Sequence, residues 1–103
     1  VIMSQEEIAT AEKKKTALKS PNKYHVVFLN DNVTPMEYVI QVLVAFFGKG
    51  SDEANIITLE IHEKGRSIAG SYSYEVAEQK CIETVTDARK HSYPLDVVME
   101  ETT

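Results

Sequence analysis

From Tyr24 to Leu29 the chain reads Tyr-His-Val-Val-Phe-Leu, a short apolar stretch rich in β-formers and bounded by turn residues. Such a run predicts a buried strand. Asn30-Asp31-Asn32-Val33 is a polar turn, and Thr34-Pro35-Met36-Glu37 has the form of a helix start. Thr34 is placed to cap, Pro35 suits the first helical position, and Glu37 completes a capping box. Apolar residues then recur at Met36, Val39, Ile40, Leu43, Phe46 and Phe47, the spacing of one helix face, until Gly48-Lys49-Gly50 ends it. Ser51 opens a second helix, with Asp52 and Glu53 favourable to its dipole. Ala54, Ile57, Thr58, Ile61 and His62 fall on one stripe of it, and Gly65 closes it. Ile68 to Tyr72 predicts a second strand. Ser73 then caps a third helix in which Val76, Ala77, Cys81, Val85 and Ala88 repeat at helical spacing. Tyr93-Pro94 breaks the chain, and Leu95 to Met99 predicts the last strand.

The order strand, helix, helix, strand, helix, strand predicts an α+β fold, with helices covering one face of a small sheet. Residues 1–22 differ: Gln5, Glu6, Glu7, Glu12, Lys13, Lys14 and Lys15 stand among few large apolar groups, and Ser20-Pro21-Asn22 punctuates the chain. This composition predicts a flexible N-terminal extension over 1–22 and one folded domain over 23–103. A chain of 103 residues fits a single domain. Its net charge of -5, from 16 acidic and 11 basic residues, argues against nucleic-acid binding, which needs Lys and Arg to neutralise phosphates. The same charge suits a cationic ligand or a basic partner. With Cys81 the lone cysteine, no intramolecular disulfide is possible and an intracellular setting is expected. No apolar run approaches the roughly 20 residues that span a bilayer, and the start lacks the order of a secretory signal, so a cytoplasmic location away from membranes is expected.

Chemistry has few candidates. His25, His62, His91 and Cys81 are scattered and form no ligand set, so no metal, no cofactor and no enzyme activity are expected. Cys81, on an apolar helix stripe, reads as a buried, inert thiol. Asn30-Asp31-Asn32 supports two readings. Asn and Asp are common turn formers, and Asp31 could serve only the turn. Three adjacent acceptors would also suit a free α-amino group, which is mostly protonated at neutral pH and offers three donors and a charge. Spacing alone favours core packing for Thr58, Ile61 and His62. Beside Met36 and Val39, however, these residues would form an apolar cleft with one polar wall, the usual character of a small-ligand site.

Asn30-Asp31-Asn32-Val33-Thr34-Pro35-Met36-Glu37-Tyr38-Val39 resembles the Asn-Asp-Asp-x-Thr-Pro-Met-Glu-Phe-Val signature of ClpS, the bacterial N-end-rule adaptor. The likeness continues through Phe46-Phe47, Leu59-Glu60-Ile61-His62, Lys64-Gly65-Arg66, Ala69-Gly70 and Tyr74 to Lys80, and ends at Pro94-Leu95. Several spaced motifs in order are far more specific than any one alone. The resemblance implies three antiparallel strands with three helices packed on them. It implies an adaptor that binds substrates beginning with Leu, Phe, Tyr or Trp and delivers them to a ClpA- or ClpC-type unfoldase, itself working as a monomer and performing no chemistry. Carried over residue by residue, Asn30 and Asp31 would hold the α-amino group with His62 as a further polar contact, and Asn32 would face the first peptide unit. Thr34, Met36, Val39, Thr58, Ile61 and Leu95 would line the side-chain pocket. Glu75 and Lys80 match positions that dock the unfoldase, and the N-terminal arm matches an extension engaged during delivery. Asn32 replaces a second aspartate, and Thr58 stands where the family commonly has Met, which implies a roomier or partly polar pocket that accepts Ile or Val, or favours Tyr. The usual His before Pro is Tyr93. The alternatives are a divergent paralogue with altered first-residue preference, and a non-degron interaction module similar to a ribosomal-stalk C-terminal domain.

Overall fold

Val26, Val27 and Phe28 are buried in succession, so the first strand is covered on both faces and belongs at the centre of its sheet. The computed structural model describes residues 23–102, and the N-terminal extension expected over 1–22 lies outside the described residues. Strand β1 (Tyr24–Leu29) is followed by α1 (Met36–Phe47), α2 (Ser51–Lys64), β2 (Arg66–Tyr72), α3 (Tyr74–Lys90) and β3 (Asp96–Glu101). β1 pairs antiparallel with β2 on one side and β3 on the other. The expected element order and α+β class are therefore observed, and the antiparallel pairing is as the resemblance implied.

Val26 and Phe28 face the helices and join the core with Val39, Leu43, Phe47, Ile57, Ile61, Leu95 and Val97. Val27 points to the other face, between its cross-strand partners Ile68 and Val98, where Arg66 of β2 donates across the central strand to Glu100 of β3. A register shift between Val26 and Val27 leaves Ala69 as the extra residue on β2 and buries it.

Four local expectations are corrected. The capping box at Thr34 and Glu37 does not form: Pro35 stays extended at φ -67 and ψ 144 and is the last residue before the helix. Its carbonyl accepts from the N–H groups of Tyr38 and Val39. Thr34 is thus one residue too early to cap, and its hydroxyl donates instead to the charged Asp31 carboxylate, a stronger acceptor. The buried face of α1 is Tyr38, Val39, Val42, Leu43 and Phe47, and Met36 is 41% exposed. Tyr38 was not expected there, but its ring can be buried because its hydroxyl donates to Asp87 at 2.6 Å. On α3 the core residues are Ala77, Thr84 and Ala88, while Val76 is exposed. β2 starts two residues before the expected Ile68, at Arg66, and Leu95 lies just ahead of β3. Gly48 and Gly65 close α1 and α2 in the left-handed region at φ 66 and φ 89, where a side chain would be strained.

Candidate functional site

The loop from β1 to α1 is organised by one carboxylate. Oδ1 of Asp31 accepts from the N–H groups of Val33 at 2.8 Å and Thr34 at 2.7 Å, and Oδ2 accepts from the Thr34 hydroxyl at 2.8 Å. The Asn30 N–H donates to the Gly65 carbonyl at 2.9 Å, which pins the start of this loop to the end of α2. Burial pushes the Asp31 carboxyl up, but the bonds from Thr34 and Val33, with the nearby charge of Arg89, outweigh it and hold the group below its ordinary value. Asp31 therefore performs the turn role and also stays ionised.

The loop, α1, α2 and the segment before β3 enclose a narrow cleft of about 60 Å³. Asn30, Asp31, Thr34, Met36, Val39, Thr58, Ile61, His62 and Leu95 all line it. Of the residues expected at the ligand end only Asn32 lies outside this lining, and it is exposed. Leu29, the last residue of β1, also lines the cleft and was not singled out from sequence. Strand alternation sets it on the face opposite Phe28, so its own segment carried no signal for the cleft. Val39, Thr58, Ile61 and Leu95 are buried at 6%, 3%, 5% and 1% exposure, so the inner wall is packed and apolar. Met36 and His62 are exposed at the rim. The Thr58 hydroxyl donates to the Ala54 carbonyl at 2.8 Å, so it has no proton left for a ligand.

Arg89 is the supporting residue that spacing could not reveal. Its guanidinium donates to the carbonyls of Tyr93 and Leu95, both at 2.8 Å, and to the Asp96 carboxylate at 3.0 Å. The expected docking residues differ in setting. Glu75 is exposed in the first turn of α3, beside exposed Tyr74 and Val76. Lys80 is half-buried: its ammonium donates to the Phe46 carbonyl and sits 5.6 Å from the Phe47 ring centroid and 5.9 Å from that of Tyr72. It thus caps the end of α1, which has no basic residue of its own in its last turn.

Elsewhere, a wider groove of about 400 Å³ runs between α1 and the end of α3, with Tyr38, Asp87, His91 and Tyr93 among its lining residues. Burial, followed by the bond to Asp87, pushes the Tyr38 hydroxyl well above its usual range. The Cys81 thiol is half-buried and also pushed up by burial, which disfavours the reactive thiolate. Among the described residues no group of three His, Cys, Asp or Glu could hold a metal ion, and no helix is long and apolar enough to cross a membrane.

Residues 19–98 match the family model described as "ATP-dependent Clp protease adaptor protein ClpS". The chain is 47% identical over 93 residues to the ATP-dependent Clp protease adapter protein ClpS of Parvibaculum lavamentivorans, covering 90% of this chain and 83% of that one. It is 40% identical over 101 residues to the protein of the same name from Burkholderia mallei, covering 98% of this chain and 97% of that one. A solved structure of Agrobacterium tumefaciens ClpS2 bound to L-phenylalaninamide superposes with a TM-score of 0.79 at 29% identity, over 81% of this chain and 100% of the other.

Proposed function

The chain belongs to the ClpS family of ATP-dependent Clp protease adaptors, and from that premise we propose that its cleft captures proteins by a free first residue for delivery to a Clp unfoldase. The observation that carries this reading is an ionised carboxylate, Asp31, lining a cleft that also contains the buried apolar side chains of Val39, Ile61 and Leu95. A protonated α-amino group brings three donors and one positive charge. Asp31 would supply the counter-charge, and Asn30 and His62, on the same lining, would accept further bonds. A charge-assisted bond of this kind is about twice as strong as a neutral one. The first side chain then enters between Val39, Thr58, Ile61 and Leu95, where a bulky apolar group such as Leu, Phe, Tyr or Trp displaces water. The Agrobacterium protein's ligand, L-phenylalaninamide, pairs a free amine with a bulky ring, the two features this cleft would read.

Thr58 bears on selectivity. Because its hydroxyl proton is committed to Ala54, it offers no donor to a substrate, but its oxygen can still accept from the hydroxyl of a Tyr-first substrate, so it acts through its small size and through that acceptor. Asn32, exposed outside the lining, would meet the chain beyond the first residue. Delivery uses another face. We assign docking of a ClpA- or ClpC-type unfoldase to Glu75 and the exposed Tyr74 and Val76 beside it, with Lys80 holding α3 against the end of α1. The protein would act as a cytoplasmic monomer.

Fluorescence anisotropy with Leu-first peptides, free and α-acetylated, tests the reading. Acetylation removes the charge and two donors, so binding should be lost. Equal binding of both forms would favour a general interaction module and overturn capture.

A further inference from the structure

Leu95 forms part of the inner wall of the cleft, yet no regular element holds it: residues 91–95 lie between α3 and β3. α3 ends in a Schellman-type cap. Ser92 lies left-handed at φ 64, its N–H donates to the Arg89 carbonyl at 3.0 Å, and the Tyr93 N–H donates to the Ala88 carbonyl at 2.9 Å. That cap turns the chain back toward the sheet but leaves Leu95 two residues beyond its last bond. Arg89 spans the gap. One of its nitrogens donates to both the Tyr93 and Leu95 carbonyls, and the other to the Asp96 carboxylate.

We infer that Arg89 is a positioning residue of the capture site, tying the Leu95 backbone to α3 and so setting how far the Leu95 side chain stands into the cleft and which first residues fit. This rests on the reading of the cleft as the capture site. The ion pair with Asp96 is exposed and contributes little by itself. The bonds to the two carbonyls are the specific part, since lysine carries the charge but lacks the rigid planar fork. Arg89 also lies near enough to Asp31 for its charge to help hold that carboxyl down, so one side chain supports both the apolar wall and the amine contact. It is not among the cleft lining and acts only through its neighbours.

The experiment compares affinities for Leu-, Phe- and Trp-first peptides in the full-length wild type, Arg89→Lys and Arg89→Gln, each with and without Leu95→Ala, with Tm recorded for all. Both Arg89 variants should shift the Leu-to-Trp affinity ratio by about threefold or more, and that shift should vanish in the Leu95→Ala background, as coupled neighbours require. A merely structural arginine would weaken all three peptides alike with a lower Tm. An unchanged ratio, or a shift that persists without Leu95, overturns the proposal. Should Arg89→Gln not fold, Arg89→Lys carries the test, because it retains the charge. Acetylated peptides separate the premise from the inference: binding to wild type that survives acetylation sinks capture itself, whatever the Arg89 variants do.

Discussion

Asp31→Asn should weaken binding of a Leu-first peptide about tenfold while leaving the loop folded. The side chain keeps its shape, so the carbonyl of Asn can still accept the Val33 and Thr34 N–H groups that now bond Oδ1. The Thr34 hydroxyl, which donates to Oδ2, can rotate and accept from the new amide. What disappears is the charge. A bond to a charged group contributes about 1.5–3 kcal/mol against about 0.5–1.5 for a neutral one, a difference near 1.4 kcal/mol and so about a factor of ten in Kd. Asp31→Ala is a poorer probe. It removes all three loop bonds, at about 1 kcal/mol each, and confuses loss of the loop with loss of the amine contact. Anisotropy titrations at low and high salt are the assay, with urea unfolding of each variant alongside. The wild-type advantage should narrow as salt screens the charge at this partly exposed site. Equal affinities for wild type and Asp31→Asn at low salt would refute the claim that the carboxylate charge reads the amine. The pH dependence has a definite sign. Because the folded-state value lies below the ordinary 3.8, the ionised carboxylate stabilises the fold above that value, and the contribution is lost as pH falls through the lower folded value. The stability gap between wild type and Asp31→Asn should therefore be constant near neutrality and close only in acid below about pH 3.8.

The other predictions concern separate parts of the molecule. Thr84 is fully buried and its hydroxyl has no partner among the described residues, so Thr84→Val should raise stability by about 1 kcal/mol, read as a higher urea midpoint with an unchanged slope. Thr58→Met adds volume to a narrow wall and should weaken Trp-first peptides more than Leu-first ones; a uniform change across a first-residue series would count against Thr58 as a size determinant. Glu75→Gln should weaken unfoldase docking without lowering Tm. Lys80→Met should lower Tm as well, because it uncaps α1, and stability loss of about 1 kcal/mol is expected from the lost bond to Phe46. Equal Tm for wild type and Lys80→Met would mean that the cap contributes nothing.

Much of this site could be read from the chain because its parts are local. Asn30 to Met36 is one contiguous turn, and the Thr58, Ile61 and His62 stripe follows from a single helical period, so their meeting required only that α1 and α2 pack side by side. Leu95 came from the family likeness, since nothing within its own segment points it at the cleft. Where periodicity misled, a partner distant in sequence was responsible. Tyr38 is buried because Asp87, 49 residues away, accepts its hydroxyl. Lys80, a docking position by the family resemblance, also bonds the end of α1 at Phe46, 34 residues earlier, a contact no local pattern reveals.

By itself the sequence determined the element order, the glycine stops at Gly48 and Gly65, and a polar turn rich in acceptors at Asn30 to Asn32, all of which depend on backbone preferences within a few residues. Only the tertiary structure decided the rest. It committed the Thr58 hydroxyl proton to Ala54, which leaves Thr58 only an acceptor to offer, and it tied Leu95 to α3 through Arg89. It also held Asp31 ionised by balancing burial against loop hydrogen bonds and the charge of a distant helix. Long polar side chains choose among several partners, and that choice is made only when packing brings them within bonding distance.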